Sequence, residues 1–431
     1  MDAILRTIEK FIPVSIYEAA QPYYHKFLSV AGALRYWFPA RKLRVIMVTG
    51  TKGKSSTTEM INSIFEAAGH VTALSNTIRF KIGAESRPNK YKMTMPGRFF
   101  VQRFLSDAIK AGCDTAILEV SSQAATQYRH KFLYPDAFVF LHITPEHIES
   151  HGGWEQYVQA KLDIGKELER SPKRPTVLVV NRHSQEVDRF LALDATVKET
   201  FGIEDGEPWR DHDRGILLTW RGVKIHSRLR GSFNIENALA AATLSKAMGI
   251  SEENIKIGIE KLENIHGRAE LIDEGQVFNV VVDYAHTVES LERVYDAFRH
   301  TKRVCILGNT GGGRDTWKRP KMAGVADQHC DEIILTNEDP YDEDPQAIVN
   351  DMKRAITKAP VTIEMDRRSA IALGIRKAAE LQHQEGSIGA SLLITGKGTD
   401  PYIMGKNGTK EKWSDAEVAR EELRKFLAKK S

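Results

Sequence analysis

One stretch, residues 44–58, constrains the fold more than any other part of the chain. Its sequence is RVIMVTGTKGKSSTT, in which a hydrophobic run is followed by two glycines, Lys54 and two serines. The hydrophobic run predicts a buried parallel strand, and the apolar stripe within residues 60–68 has the spacing of an amphipathic helix. Strand, glycine turn and helix are the setting of a phosphate-binding loop, where backbone N–H groups and the helix N-terminus attract an anion. We therefore predict that this chain binds a nucleoside triphosphate.

The residues of this turn have separate predicted roles. Lys54 is expected to reach the β- and γ-phosphates, and the Ser55 hydroxyl is expected to bind Mg²⁺. Counted from Gly50, the turn is shorter than the full GxxxxGK[ST] pattern, because two residues rather than four separate its glycines. The alternative is a glycine turn with a solvated lysine, and the flanking strand and helix favour the phosphate-binding loop. The predicted nucleotide-binding residues of this segment are Gly50, Thr51, Lys52, Gly53, Lys54, Ser55 and Ser56.

Composition excludes several classes of protein. The chain has 431 residues, of which 42% are hydrophobic and 27% charged, and its basic residues are dispersed around a net charge of only +4. This balance predicts an ordinary soluble globular protein with no nucleic-acid surface. The three cysteines are isolated and show no CxxC spacing, which fits a reducing cytoplasm and offers no zinc site. No signal peptide is visible, so we predict a cytoplasmic location.

Strands alternate with helices along most of the chain, which predicts the α/β class. We expect a central domain with a parallel sheet around the phosphate-binding loop, followed by a Rossmann-like C-terminal domain. The segments 216–220 and 223–227 suggest an antiparallel hairpin at the edge of the first sheet. A boundary is expected at residues 264–269. The predicted divisions are a helical leader (1–43), a central domain (44–265) and a C-terminal domain (266–431).

The leader is unusually rich in aromatic residues, and two interpretations remain open. It is either a helical segment packed on the nucleotide domain or an interfacial helix in peripheral contact with a membrane. In the second case Arg35, Arg41 and Lys42 would lie near lipid headgroups and Trp37 at the boundary. The apolar run 27–33 is far shorter than the ~20 residues that a spanning helix needs. The packing interpretation is favoured, because aromatic stripes are more often buried in a core.

Polar side chains follow several predicted strands, at the sheet edge where open α/β proteins bind ligands. Glu119 ends a strand beside the phosphate-binding loop, where it suits Mg²⁺, although a structural glutamate with a buried partner is the alternative. His147 follows the next strand and is weak evidence on its own. The second domain repeats this arrangement, which predicts a substrate in the cleft between two domains. Its polar strand-end residues are Asp283, His286, Arg314, Lys397 and Asp400.

Together the motifs resemble those of the Mur ligase superfamily, and most closely its UDP-N-acetylmuramoyl-tripeptide synthetases. TGTKGKSST resembles the family's TGTNGKTTT, LEVSSQAATQYRH is similar to EVSSHGLVQHR, and TPEHIESHGGWEQYVQAK resembles the DHLDYHG segment with the AxAK lysine. Further co-linear matches are GSFNIENALAA, HGRAE, VDYAHTVESLE, GGGRDTWKRP and ITGKGTD. The resemblance runs from residue 44 to the C-terminus.

This resemblance implies roles for individual residues. Lys54 and Ser55 would bind the phosphates of ATP and Mg²⁺, and Lys161 would be carbamylated, which turns a cation into an oxygen ligand. The implied ligands of two magnesium sites are Ser55, Glu119, His147 and carbamylated Lys161. The implied acceptor-binding residues are Thr94, Ser121, Gln127 and Arg129. Asn234, Asn237, Asp283 and His286 would contact the nucleotide, and Arg268 would lie at a catalytic hinge. Other implied substrate contacts are Arg314, Glu338, Asp339, Tyr341, Lys397 and Asp400.

The implied activity is an ATP-dependent ligase of peptidoglycan precursor synthesis. The terminal carboxylate of a UDP-N-acetylmuramoyl-dipeptide would attack the γ-phosphate, and the amine of an amino acid would then attack the acyl phosphate. A folylpolyglutamate synthetase-like ligase, or a ligase acting on a lipid-linked muropeptide, is the alternative. A silent nucleotide-binding partner is disfavoured, because Lys54, Glu119, His147 and Lys161 are all present.

Two departures from the family pattern bear on the substrates. Residues 1–43 are too few for the family's uridine-binding domain. Members that add diaminopimelate read DNPR, whereas this chain reads Glu338-Asp339-Pro340-Tyr341. The arginine that pairs with the second carboxylate of diaminopimelate is therefore missing. The acidic neighbourhood (residues 342–344) suits lysine or ornithine, or it is a solvated acidic loop.

Overall fold

The computed structural model describes residues 14–91, 93–145, 151–212, 215–313, 316–384 and 388–429. The helices are α1 (Val14–Arg35), α2 (Lys54–Ala67), α3 (Arg98–Lys110), α4 (Ser122–Thr126), α5 (Trp154–Glu169), α6 (Val187–Leu191), α7 (Phe233–Ala247), α8 (Glu252–Lys261), α9 (Val288–Ala297), α10 (Lys318–His329), α11 (Pro345–Lys353), α12 (Arg367–His383) and α13 (Asp415–Ala428). The strands of the first half are β1 (Arg44–Thr49), β2 (Thr72–Ser75), β3 (Arg79–Ile82), β4 (Glu85–Pro88), β5 (Thr115–Glu119), β6 (Ala137–Phe140), β7 (Val177–Asn181), β8 (Val197–Phe201), β9 (Arg210–His212), β10 (Gly215–Trp220) and β11 (Val223–Ser227). Those of the second half are β12 (Glu270–Leu271), β13 (Asn279–Val282), β14 (Lys302–Leu307), β15 (Glu332–Leu335), β16 (Val361–Ile363), β17 (Ala390–Ile394), β18 (Tyr402–Met404) and β19 (Lys410–Lys412).

The chain divides into two compact units. The first contains residues 1–209, 218–225 and 235–261, and the second contains residues 210–217, 226–234 and 262–431. Each unit is built around its own large sheet with helices packed against it. The predicted α/β class, with a parallel-sheet domain followed by a Rossmann-like domain, is confirmed.

The sheet of the first unit has eight strands in the order β4-β3-β2-β5-β1-β6-β7-β8. β1 lies between β5 and β6 and pairs in parallel with both. Its residues Val45 to Val48 are fully buried, because helices cover both faces of this part of the sheet. The carboxyl ends of β1, β5 and β6 therefore meet at one edge, where the polar turn after β1 also lies.

Helix α2 is more deeply buried than its amphipathic pattern predicts, with every residue from Ser55 to Phe65 buried. Its second face is covered by α8, which approaches closely because Gly258 lies against the backbone of Ile64. The buried polar side chains of α2 have partners. Glu59 forms an ion pair with Arg79 at 2.6 Å. This close packing fixes the position of the loop before α2.

The predicted edge hairpin was wrong in its location. β10 and β11 form a separate three-stranded sheet with β9, in the order β11-β10-β9. The edge of the eight-stranded sheet is instead the antiparallel pair β3 and β4. Lys81 is tolerated in this buried strand because its ammonium group pairs with Glu66 at 2.5 Å.

The sheet of the second unit has six strands in the order β12-β13-β17-β14-β15-β16, parallel except for the β12–β13 pair. Two hydrophobic clusters fill its two faces. The expectation of isolated cysteines was wrong for this unit, because Cys305 and Cys330 form a disulfide. The two residues lie on β14 and just after α10, a proximity that their sequence separation of 25 does not reveal.

Helix α1 packs on the start of α3. Ser29 donates a hydrogen bond to the carbonyl oxygen of Tyr128 at 3.0 Å, and Gly32 lies against the backbone of Arg98 and Phe99. Among the described helices, none combines the length and the apolar character needed to cross a membrane.

Candidate functional site

The turn between β1 and α2 has the conformation that the phosphate-binding loop requires. Gly53 adopts φ 81° just before the first residue of α2, a left-handed conformation that favours glycine. A Cβ atom at this position would overlap the side-chain oxygen of Asn237. Gly50 is similarly enclosed by Leu141 and His142, so any side chain there would collide. Conformation and space together explain why both positions are glycine.

Two lysine side chains hold this loop. The Lys54 ammonium group donates to the carbonyl oxygens of Gly50 at 3.1 Å and Thr51 at 2.9 Å. The Lys161 ammonium group, which is 1% exposed, donates to the same Gly50 oxygen at 2.8 Å and lies 4.9 Å from the centre of the Tyr157 ring. The two predicted catalytic lysines therefore meet at one carbonyl group. Both ammonium groups therefore lie against the turn between β1 and α2.

Glu119 lies at the end of β5 and is the centre of a hydrogen-bonded chain. Its Oε2 accepts from the Ser55 hydroxyl at 2.9 Å and from the backbone N–H of Thr77 at 2.8 Å. Its Oε1 accepts from the Thr77 hydroxyl at 3.0 Å, and that hydroxyl lies 2.9 Å from the Thr94 hydroxyl. Glu119 is 2% exposed, so these partners satisfy a buried carboxylate. The chain joins the predicted metal ligands to a predicted acceptor residue.

The oxygen atoms of this cluster fit a magnesium ion. Ser55 Oγ and Glu119 Oε2 are hard oxygen donors that lie side by side at the N-terminus of α2. Lys161 approaches the same loop and, as an unmodified cation, brings no oxygen. His147, the fourth predicted ligand, lies outside the described residues. His151 is described, and its Nε2 is 3.0 Å from the Ser122 hydroxyl.

The predicted acceptor residues of the first unit lie close together. Arg129 donates to the carbonyl oxygen of Met95, next to Thr94, and to the side-chain oxygen of Gln127. Ser121 precedes α4 and is partly exposed. The segment between Ser121 and Arg129 is thus connected to the loop that carries Thr94. That loop is linked in turn to Glu119, through the contacts of Thr77 with Thr94 and with the carboxylate.

The two predicted asparagines lie on α7 in different surroundings. The Asn237 side-chain oxygen accepts from the Thr57 hydroxyl at 3.3 Å and lies against Gly53, so it borders the phosphate-binding loop. Asn234 lies in the first turn of α7, and its side-chain amide donates to the Arg230 carbonyl oxygen at 2.7 Å. The structure therefore places Asn237 against the loop.

In the second unit, Asp283, His286 and Arg268 lie around Tyr284. Asp283 accepts from the backbone N–H groups of Ala269 and Ala285, both at 2.6 Å. The Arg268 guanidinium lies 4.7 Å from the centre of the Tyr284 ring, and the His286 ring packs edge-on against it at 4.7 Å. Burial raises the pKa of Tyr284. Asp283 therefore fixes the backbone directly after Arg268 and directly before His286.

A second polar group of this unit lies beyond β15 and β17. The Lys397 ammonium group is 1% exposed and donates to Asp339 at 2.7 Å and Asp400 at 3.1 Å. Glu338 is 3% exposed, and its Oε1 accepts from the Thr310 hydroxyl at 3.0 Å. Its Oε2 is buried and has no hydrogen-bond donor in the described structure, and burial raises the pKa of Glu338. An amino group is the kind of ligand that this oxygen can accept.

The acidic loop at residues 342–344 has a structural explanation. Glu343 forms a double hydrogen bond with buried Arg319, at 2.7 and 2.8 Å. Asp344 caps α11, and Asp342 accepts from the backbone N–H of Asn407 at 2.7 Å. Tyr341 adopts φ 52°, a strained conformation for a non-glycine residue. Arg314, also predicted here, lies outside the described residues.

Comparison with known proteins decides the family. Residues 48–245 match the Mur ligase middle domain, and residues 267–398 match the Mur ligase glutamate ligase domain. The chain is 35% identical, over 421 residues, to the UDP-N-acetylmuramoyl-L-alanyl-D-glutamate--2,6-diaminopimelate ligase of Bacillus velezensis, covering 95% of this chain and 83% of that protein. The chain belongs to the Mur ligase family. The resemblance drawn from the motifs is confirmed, and it identifies an ATP-dependent amide ligase.

Other Mur ligases and related enzymes are similar to this chain. The protein of the same name from Geobacillus kaustophilus is 34% identical, covering 89% of this chain and 80% of its own length. A solved diaminopimelate ligase superposes with a TM-score of 0.60 at 27% identity, covering 89% of this chain and 79% of that one. A Mycobacterium tuberculosis folylpolyglutamate synthase, complexed with ADP, has a TM-score of 0.69 at 16% identity, and the match covers 87% of this chain and 92% of the synthase. The last similarity shows a shared fold only.

Some site residues of this Mur ligase were missed from the sequence. Thr77 bridges Glu119 and Thr94, and Tyr157 contacts Thr51 through its hydroxyl at 3.0 Å. The position of Thr77 just after β2 was an available signal, because polar residues that follow parallel strands gather at the ligand edge. Tyr157 gave no such signal, since an aromatic residue on a helix, one turn before Lys161, is typical of a side chain buried in the core.

Proposed function

We propose that this Mur ligase joins an amino acid to the terminal carboxylate of a UDP-N-acetylmuramoyl-dipeptide through an acyl phosphate, in peptidoglycan precursor synthesis. The observation that carries the proposal is the hydrogen-bonded chain from Ser55 through Glu119 and Thr77 to Thr94. It connects the phosphate-binding loop to the acceptor segment within one unit. A transferred phosphoryl group and an attacking carboxylate need this proximity. The relatives' printed names supply the acceptor.

The residues around the loop have defined parts in this proposal. The N–H groups of residues 50–56 and the start of α2 hold the phosphates, and Thr51 is itself fixed by Tyr157. Lys54 turns from the loop carbonyls to the transferred phosphate and neutralises its charge. Magnesium, when bound by Ser55 and Glu119, supplies charge stabilisation at the phosphate oxygens. We assign a second magnesium ligand set that includes His147, as the motif predicts.

We also propose that Lys161 is carbamylated. A buried ammonium group beside a cation-binding loop is unfavourable, because burial penalises the charge and Mg²⁺ would repel it. A carbamate replaces the cation with an anionic oxygen ligand at the same position. Bicarbonate labelled with ¹³C should give a carbamate resonance in the wild type that Lys161→Ala lacks. Short carboxylic acids should partly restore activity to that variant, and full activity without them would exclude the role.

Residues of the second unit, together with Asn237 of the first, would serve the nucleotide and the incoming amino acid. We propose that Asp283, His286, Asn234 and Asn237 contact the nucleotide and that Arg268 acts at a hinge. The backbone bonds of Asp283 support this, since they fix the segments that carry the other groups. The proposed domain limits are 44–265 and 266–431, preceded by a leader, and the proposed location is the cytoplasm.

For the amino acid we propose lysine or ornithine rather than diaminopimelate. Tyr341 stands where diaminopimelate-adding members have arginine, so the second carboxylate lacks its cationic partner. The acidic loop lends less support than expected, since Glu343 is neutralised by Arg319. The buried Oε2 of Glu338 supports a cationic ligand instead. Arg314, Asp339, Lys397 and Asp400 complete the proposed amino-acid site.

A substrate panel tests the proposal. ATP, the UDP-linked dipeptide and a mixture of amino acids are incubated with the protein, and the product masses are read. We expect one product, heavier than the acceptor by one lysine or ornithine residue. A diaminopimelate product would contradict the proposed selectivity while preserving the ligase. Turnover with a folate and glutamate but with no muropeptide would favour the folylpolyglutamate synthetase-like alternative.

The leader keeps a second candidate role, peripheral membrane contact near a lipid-linked muropeptide. The observation that favours it is an outward stripe on α1, where Tyr23 and Phe27 are 77% and 68% exposed and Trp37 beyond it is 84% exposed. Sedimentation with anionic vesicles tests this role. Co-sedimentation that Phe27→Ser with Trp37→Ser abolishes is expected, and a protein that stays in the supernatant would contradict it.

A further inference from the structure

Helix α1 meets the acceptor side of the first unit at a group of three basic side chains, His25, Arg98 and Arg129, here termed the cationic cluster. Arg98 contacts His25 Nδ1 through Nη2 and donates from Nε to the Gln127 carbonyl oxygen at 2.7 Å. Arg129 donates to the Met95 carbonyl oxygen and the Gln127 side chain. All three residues are partly buried. The cluster is therefore continuous with the proposed acceptor residues.

The two arginines of the cluster have only neutral partners. Within the described structure, the hydrogen bonds of both guanidinium groups go to carbonyl oxygens, an amide oxygen, an imidazole nitrogen or the Met93 sulfur. Burial and the Arg98 charge lower the pKa of Arg129 to about 10. Burial, Arg98 and Arg129 lower the pKa of His25 to about 4. Like charges held together without a counter-charge are unfavourable, and an anion would relieve the repulsion.

Two donors of the cluster lack an acceptor. A guanidinium group only donates, so His25 Nδ1 accepts from Arg98 and the imidazole proton lies on Nε2. Both His25 Nε2 and Arg129 Nε are buried and have no hydrogen-bond partner in the described structure. Buried donors without acceptors are rare and unfavourable in folded proteins. Oxygen atoms of a ligand would satisfy them.

We propose that Arg98 and His25 join Arg129 in an oxyanion site that binds the acceptor substrate. The inference rests on the proposed function, which places Gln127 and Arg129 on the acceptor. It adds two residues that the motifs did not indicate, one of them from α1. The acceptor offers oxyanions of two kinds, a diphosphate and the carboxylates of its peptide. Both have the oxygen geometry that arginine forks bind.

The architecture around α1 supports this placement. Ser29, one turn after His25, donates to the Tyr128 carbonyl oxygen at 3.0 Å, which fixes the helix against the segment that carries Arg129. Gly32 packs on the backbone of Arg98. The imidazole is thus held in the cluster by contacts on both of its partner segments. The helix would gain a role in substrate binding beyond packing.

Affinity measurements on single variants test the site. We expect Arg98→Gln to weaken binding of the UDP-linked dipeptide at least about tenfold, with KM raised and ATP affinity unchanged. Arg98→Lys should recover part of the loss. The matched control is Arg103→Gln, which removes an exposed arginine of the same helix, paired with Asp107 at 3.5 Å. Equal affinity in Arg98→Gln and wild type, or an equal loss in the control, would overturn the proposal.

Two binding titrations identify which oxyanion is bound. UDP alone is the ligand in the first titration, and the nucleotide-free N-acetylmuramoyl-dipeptide is the ligand in the second. A loss of UDP affinity in Arg98→Gln assigns the diphosphate, and a loss confined to the second titration assigns a carboxylate. A loss of neither, with the variant folded, contradicts the site. Added salt should weaken wild-type binding more than variant binding, because one charge has been removed.

Thermal unfolding separates ligand binding from a structural role. Without ligand, Arg98→Gln should unfold within about 2 °C of the wild type or higher, because the substitution removes a repulsion. The rise in Tm that the acceptor gives the wild type should be lost. A lowered Tm without ligand, with an intact acceptor-induced rise, would show a structural role only. A wild type that turns over no muropeptide would refute the proposed function, whereas turnover with an unchanged KM in Arg98→Gln would refute this inference alone.

Discussion

Replacing Glu119 by glutamine separates the structural part of this residue from its proposed metal-binding part. The carboxylate accepts three hydrogen bonds, two at Oε2 from Ser55 and Thr77 N–H and one at Oε1 from the Thr77 hydroxyl. A glutamine with its oxygen at the Oε2 position keeps the first two. Its amide nitrogen then donates to the Thr77 hydroxyl, which turns to donate to Thr94 Oγ1 at 2.9 Å. The three hydrogen bonds of the carboxylate thus have counterparts in the glutamine variant.

The expected magnitudes follow from this count. Glu119→Gln should lower the free energy of unfolding by at most about 1 kcal/mol, because it loses only charge assistance in hydrogen bonds that persist. Glu119→Ala leaves the Thr77 N–H buried without an acceptor and opens a cavity, so we expect a loss of roughly 2–5 kcal/mol. The two variants therefore differ strongly in stability. Both should lose the negatively charged oxygen that is proposed to bind the metal.

Chemical denaturation and magnesium titration in the presence of ATP measure the two effects. We expect Glu119→Gln to fold like the wild type and to lose at least about 100-fold in ATP turnover, with weaker magnesium dependence. A folded Glu119→Gln that turns over normally would refute the metal-binding role. A glutamine variant as unstable as the alanine variant would refute the hydrogen-bond account.

Three further predictions concern the loop, a buried histidine and the amino-acid site. Gly53→Ala should abolish ATP binding, because the new Cβ atom would overlap Asn237. The control is Gly69→Ala, which also has a positive φ but has open space around its Cβ; it should lower the free energy of unfolding by only about 1 kcal/mol and leave ATP binding intact. Equal effects of the two substitutions on ATP binding would refute the steric argument. His130 is 2% exposed, and its burial together with the nearby positive charge of Lys131 lowers its pKa to about 4. Below pH 6.5 the histidine therefore binds a proton in the unfolded chain that it does not bind in the folded one. Between pH 7 and 5 this effect lowers the free energy of unfolding by about 2 kcal/mol, and His130→Gln should reduce the measured fall by that amount; an unchanged pH profile would contradict the assignment. Glu338→Gln should reduce kcat/KM for lysine or ornithine at least about tenfold relative to a neutral amino acid, measured by phosphate release, and an unaltered preference would remove Glu338 from the site.

The features that the sequence predicts well are those encoded within one segment. The run Val45–Val48 and the glycine turn identify β1 and the phosphate-binding loop, because hydrophobic burial and glycine conformation are local properties. The end of β5 at Glu119 is equally clear. These elements carry most of the predicted nucleotide site.

The features that escaped prediction depend on pairing between distant segments. β10 and β11 form the predicted strands, yet their partner is β9 rather than the large sheet, a choice that alternation does not encode. Thr77 reaches Glu119 because β2 pairs with β5 in one register, which places Ser75 beside Leu118. Cys305 and Cys330 likewise meet through the fold. The roles of the predicted site residues remain predictions, and the structure supplies the neighbours by which to test them.

Transfer of oxygen from the acceptor to phosphate tests the central claim most directly. An acceptor labelled with ¹⁸O in its terminal carboxylate is incubated with ATP, Mg²⁺ and the amino acid, and the released phosphate is analysed by mass spectrometry. If the carboxylate attacks the γ-phosphate and the amine then displaces phosphate, each phosphate carries one ¹⁸O atom from the acceptor. Amide product accompanied by unlabelled phosphate would contradict the acyl-phosphate route.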